Sequence, residues 1–155
     1  MLENLLNVSY VIIGSKEKLS RVKSYQIEKG AECLLCPFQS LQELPSILDS
    51  KIADLDSSVI SLIPAGAFPR KAAREQLIHF SRSAYQFWGW YHFGNKFKGA
   101  SQRIRKLNTF LNKVPQLEQG IFFSKLLYFS VGGLGDSGDN PFAELAKRFY
   151  LRLDP

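Results

Sequence analysis

The chain has 155 residues, 45% of them hydrophobic and 22% charged, with two cysteines and a formal charge of +6. This balance excludes disordered, collagen-like and disulfide-stapled chains, and a domain of this length buries roughly 70% of its unfolded surface without needing a metal or crosslink. The charge is uneven: residues 1–66 carry a net −2, residues 67–113 a net +9 with Glu75 as their one acid, and residues 114–155 a net −1. An anionic partner is therefore expected at the middle of the chain.

The N-terminus has Glu3, no early Lys or Arg and an apolar run of only six residues (Val8 to Ile13), which is not a secretory signal. No stretch reaches the roughly 20 apolar residues of a membrane span. A cytoplasmic protein is expected, with one α/β domain over 1–155, since no linker, repeat or low-complexity tract interrupts the chain.

Val8 to Ile13, closed by Gly14-Ser15, reads as a buried strand. Lys16 to Lys29 reads as an amphipathic helix with Leu19, Val22, Tyr25 and Ile27 on one side, ended by Gly30. Ala31 to Cys36 is a second apolar run stopped by Pro37. Gln39 to Leu48 is a shorter helical stretch interrupted by Pro45. Ser58 to Ile63 is a third apolar run, closed by Pro64-Ala65-Gly66. Strands alternating with helices at this spacing predict a Rossmann-like or flavodoxin-like parallel sheet in the N-terminal half. The spacing of the three strands also resembles that of response-regulator receiver domains. That family has an acidic pocket after its first strand and an Asp ending its third, where this chain has Gly14-Ser15-Lys16 and Pro64-Ala65. The resemblance thus implies a receiver-like sheet without phosphotransfer.

The second half reads as helix-rich and basic. From Pro69, the residues Ala73, Leu77, Phe80, Ala84, Phe87 and Tyr91 step by four and three into one helical stripe, weakened at its far end by Gly89 and Gly94. A second helix from Ala100 to Val114 carries Ile104, Leu107, Leu111 and Val114 on one face, with Arg105, Lys106 and Lys113 opposite. Ile121 to Val131 reads as a late strand, followed by a glycine-rich loop. Pro141 opens a last helix with Leu145, Phe149 and Leu153 inward.

Eight of the eighteen residues from Phe80 to Phe97 are aromatic, and both tryptophans are among them. Arg70, Lys71, Arg74 and Arg82 precede this cluster; Lys96, Lys98, Arg103, Arg105, Lys106 and Lys113 fall within or after it. Single-stranded DNA or RNA is bound by this mixture, cations following phosphates while exposed rings stack on bases at about 1–3 kcal/mol each. Phe80, Phe87 and Tyr91 lie on the apolar stripe and are assigned to the core, so Trp88, Trp90 and Phe93 are the expected stacking residues. The competing account makes all the rings core and the cations a solvated face. The principal expectation is a non-catalytic nucleic-acid-binding protein. Docking on an acidic protein or on a second copy of the chain is an alternative, because aromatics and Arg are enriched at such interfaces. A membrane-surface role is weaker, given Gln86, His79 and His92 among the rings.

A further alternative is a Rossmann-like nucleotide-binding enzyme or sensor, with its ligand at the C-terminal ends of the strands, on Gly14, Ser15 and the Gly132–Gly138 loop. That loop contains Gly133-Leu-Gly-Asp-Ser-Gly138, which fits G-x-G-x-x-G. Only 17 residues follow Gly138, however, so a dinucleotide site lacks its second strand and ribose-binding acid, and Asp136 and Asp139 repel a pyrophosphate. A flexible turn is the favoured reading. Gly135-Asp-Ser-Gly138 looks like the nucleophile segment of trypsin-like proteases, but those are all-β, and their motif continues differently. Cys33-Leu-Leu-Cys36 lies inside a strand with its thiols on opposite faces, and His79 and His92 do not form a tight ligand pair. Buried structural cysteines are expected, with no metal or cofactor.

Overall fold

The computed structural model describes residues 6–91, 119–135, 138–153 and 155. The first apolar run forms β1 (Val8–Gly14), which is buried along its whole length. It pairs in parallel with β2 (Ala31–Pro37) on one side and β3 (Val59–Pro64) on the other. A strand with a neighbour on each edge and helices on each face has no surface for water, which is why its sequence is a continuous run rather than an alternation. β3 then pairs antiparallel with β5 (Ile121–Ser124), and β5 antiparallel with β4 (Trp88–Trp90). The mixed five-stranded sheet has the order β2-β1-β3-β5-β4.

Five helices complete the described residues: α1 (Lys16–Ser20), α2 (Leu44–Asp54), α3 (Lys71–Ser81), α4 (Lys125–Ser130) and α5 (Pro141–Tyr150). On one sheet face Val11, Ile13, Ile60, Leu62, Trp88, Ile121 and Phe123 meet Leu44, Leu48 and Ile52 of α2, Leu127 and Tyr128 of α4, and Phe142, Leu145 and Phe149 of α5. On the other, Val8, Tyr10, Ile12, Val59 and Ile63 meet Leu19 of α1 and Leu77 and Ile78 of α3. Among the described residues no helix is long and apolar enough to cross a membrane.

Four expectations shift, each for a physical reason. The helix expected over Lys16–Lys29 ends at Ser20. Val22, Tyr25 and Ile27 still pack on the sheet, but from a non-helical segment. Tyr25 stacks on Phe68 at 3.9 Å and Glu28 pairs with Arg74 at 3.0 Å, so long-range contacts outweigh helical spacing. Pro45 begins α2 rather than interrupting it, because a first-turn residue needs no N–H.

The stripe from Pro69 stops as a helix at Ser81, and 88–90 become strand. Period-two alternation wins there: Trp88 sits in the core, while the ring of Phe122 fills the space over Gly89, where a Cβ would come 2.6 Å from it. The late strand ends at Ser124, whose extended backbone (φ −71°, ψ 137°) turns the chain into α4. The helix expected over Ala100–Val114 lies outside the described residues. Cys36 is buried and Cys33 half-buried, and burial pushes both thiols above their ordinary pKa, away from reactivity.

Candidate functional site

The sheet order itself locates a crevice. β1 leads to β2 on one side, whereas β3, its neighbour on the other, leads on through α3 to β4 at the opposite edge. The connections therefore diverge at the C-terminal end of β1 and leave a gap, the position where open α/β sheets bind ligands. A cavity of about 330 Å³ lies there, lined by Ile13, Gly14 and Ser15 at the end of β1, Lys18 of α1, Phe38 and Gln39 after β2, and Pro64 and Ala65 at the end of β3. Its frame is fixed by backbone: Phe38 N–H donates to Gly14 O at 3.0 Å and Ala65 N–H to Ile13 O at 2.9 Å. Ser15 caps α1, its hydroxyl accepting from Lys18 N–H at 3.3 Å.

Among the described residues the lining carries one cation, Lys18, two neutral polar side chains, Ser15 and Gln39, and no carboxylate, imidazole or thiol. Acids in the adjoining turns are already hydrogen-bonded, one of them to the backbone of the lining residue Gln39. Glu43 accepts from the backbone N–H groups of Gln39 and Ser40, and Glu17 pairs with Arg21 at 2.7 Å. A single positive charge beside apolar walls at Phe38, Pro64 and Ile13 suits an anionic ligand with a flat apolar part.

The described start of the Gly132–Gly138 loop, residues 132–135, does not line this crevice. Asp49 of α2 fills it from within: its carboxylate accepts from Leu134 N–H at 3.0 Å, from Gly135 N–H at 3.4 Å and from the Tyr128 hydroxyl. Arg148 of α5 grips the outer carbonyls, donating to Gly133 O at 2.8 Å and Leu134 O at 2.9 Å. Gly133 has φ +67°, and a Cβ there would stand 2.6 Å from Asp49 Oδ1. The described N–H groups of the glycine motif thus hold a carboxylate of the same chain in the place a phosphate would take. Burial, then the bond to Asp49, pushes the Tyr128 hydroxyl well above the usual phenol range.

The basic, aromatic segment divides. Trp88 is 2% exposed, donates Nε1–H to Leu153 O at 2.7 Å and packs on Phe149 and Tyr150. Against expectation, its ring faces the core. Trp90 is half-buried beside it. Arg74 is bound to Glu28, and its Nη1 donates to Pro69 O at 2.7 Å, so this cation stabilises the fold. Arg70, Lys71 and Arg82 are exposed, with Lys71 3.7 Å from Glu75.

Phe93, Lys96, Lys98, Arg103, Arg105, Lys106 and Lys113 lie outside the described residues. Phe80, assigned to the core from the helical stripe, is instead 44% exposed, and Tyr85 is 84% exposed. Both escaped the sequence reading because their exposure depends on α3 ending at Ser81, which the stripe conceals. Lys18, Phe38 and Gln39 escaped it because only strand order brings them together. No known protein-family model matches the chain, and no curated protein sequence matches it.

Proposed function

We propose that the protein binds a nucleoside phosphate, in the cytoplasm, in the crevice at the C-terminal ends of β1, β2 and β3. The observation that carries this reading is the coincidence of the cavity with the divergence of connections around β1. On this proposal the three parallel strands, in the order β2-β1-β3, serve as a Rossmann-like or flavodoxin-like half. Lys18 meets the phosphate, Ser15 and Gln39 supply polar contacts, and Phe38 lies against the flat base. A thermal-shift series with nucleoside mono-, di- and triphosphates tests it. A ligand at 100 times its Kd adds about 2.7 kcal/mol, or roughly 5–11 °C for a chain of this size. Absence of any shift up to millimolar concentrations contradicts the reading.

A second reading, contact with single-stranded nucleic acid through the basic segment, rests on charge. Half of the twenty basic residues fall in 67–113 beside one acid. Residues 92–118 contribute six of them; in sequence they fall between Trp90 and Ile121, which pair with each other, Ile121 also pairing with Leu62 near the end of β3. Trp90 and Ile121, the paired residues that bracket this segment in sequence, lie at the same end of the sheet as the crevice. Anisotropy of a labelled oligonucleotide across a salt series tests this. Five phosphate contacts on a single strand give a log–log slope of about −3.5. A flat salt response contradicts it and leaves an acidic protein or a second copy as the partner.

A further inference from the structure

Removing Trp88 from the expected stacking set leaves a different pair of rings at the surface. α3 closes where Arg82 N–H reaches back to His79 O and Phe80 O, and Ser83 N–H donates to Phe80 O at 2.9 Å. This tight turn leaves Phe80 44% exposed and Tyr85 84% exposed, with Arg82 exposed between them in sequence. Phe80 is braced from behind: its ring centroid lies 5.4 Å from that of Phe87, which stands 6.4 Å from Phe122 on the sheet. The chain from Gln76 to Phe87 contains no carboxylate. Two large exposed rings with an exposed cation between them in sequence, one ring braced by the core, are the components of a base-stacking surface.

We infer that Phe80 and Tyr85, with Arg82, form a stacking surface for single-stranded nucleic acid at the C-terminal end of α3. The inference rests on the second reading above and gives it the rings it lacked. A second copy of this chain fits less well, because self-association there would bring two segments of net +9 together. A duplex fits less well too, since its bases are already stacked and offer no free faces to the rings.

The test uses the full chain and a fluorescein-labelled oligothymidine 12-mer. Tyr85→Ala is expected to weaken binding about 5- to 100-fold with no change in salt slope, because a ring and no charge is lost. Tyr85→Phe keeps the stacking face and stays within about two-fold of the parent. Arg82→Ala flattens the slope by about 0.7, the value of one phosphate contact on a single strand. Phe80→Ala weakens binding in the same way as Tyr85→Ala; unchanged melting temperature in the Tyr85 variants separates lost binding from lost folding.

If the parent binds the oligomer and Tyr85→Ala and Phe80→Ala bind equally well, the surface is overturned while the nucleic-acid reading stands. If the parent does not bind at low salt, the nucleic-acid reading fails and this inference with it. Self-association that Tyr85→Ala abolishes, without oligomer binding, assigns the rings to a second copy instead and overturns the inference.

Discussion

Two glycine-bearing turns invite an anion in this chain, and they differ in what they hold. At Gly133–Gly135 the inward N–H groups meet the carboxylate of Asp49, with Arg148 on the outer carbonyls, and the turn is complete in itself. At Gly14-Ser15 the turn opens on a cavity whose lining, among the described residues, has Lys18 as its one charge and no acid. The difference teaches that a glycine motif defines only donors. Whether the acceptor comes from the chain or from a ligand is decided by a side chain distant in sequence, here one 85 residues from the N–H it meets.

Removing the internal acceptor is expected to have the largest effect. Asp49→Ala removes the acceptor of the buried Tyr128 hydroxyl and leaves Leu134 N–H with the Tyr128 oxygen alone, costing about 3 kcal/mol, or roughly 6–12 °C in melting temperature, while crevice binding is unchanged. A loss below about 1 kcal/mol by calorimetry would show that the carboxylate is not what closes the turn.

Gly133→Ala should cost about 2 kcal/mol, since it adds left-handed strain to a collision with Asp49. Gly135→Ala, whose nearest neighbour is Arg148 at 3.6 Å, should cost only about 1 kcal/mol. Equal chemical-denaturation midpoints for the two would remove the close contact from the account.

The alkaline limb sharpens the contrast further. The raised pKa of Tyr128 means the unfolded chain releases a proton first as pH climbs. Stability is full below about pH 10 and then falls by up to about 1.4 kcal/mol per pH unit for this group, with the buried Tyr10 and Tyr91 acting in the same direction. Melting temperatures from pH 8 to 11 should show this decline, and Tyr128→Phe should lessen its slope; an unchanged slope would contradict the assignment.

Smallest in stability is Lys18→Ala, expected within about 0.5 kcal/mol of the parent because its ammonium is exposed. It should nevertheless lose most of the nucleotide-induced thermal shift. A retained shift would take Lys18 out of the ligand's reach.

β1 and β3 were legible because full burial writes itself as unbroken apolar runs, β2 because its apolar run is bounded by Gly30 and Pro37 although this edge strand is only half-buried, and Pro141 with Asn140 marked α5 through first-turn chemistry. Less legible were the elements whose local spacing suits two structures. Ala84, Phe87 and Tyr91 continue a helical stripe, yet Trp88 is drawn inward by Phe149, Tyr150 and the carbonyl of Leu153, all from the far end of the chain. The Asp49 clasp had no local signal at all. Of the crevice, Gly14 and Ser15 could be read from the sequence as the end of a strand. Phe38, Gln39 and Ala65 could not, because their proximity follows from β1 standing between β2 and β3.

The central claim is that the open turn takes a ligand and the closed one does not. A titration of the ¹⁵N-labelled protein with adenosine monophosphate, followed by amide chemical shifts, tests it most directly. The account predicts saturable shifts at Gly14, Ser15, Lys18, Gln39 and Ala65 with Leu134 and Gly135 unmoved. Shifts confined to Gly133–Gly135, or none at millimolar nucleotide, would contradict it.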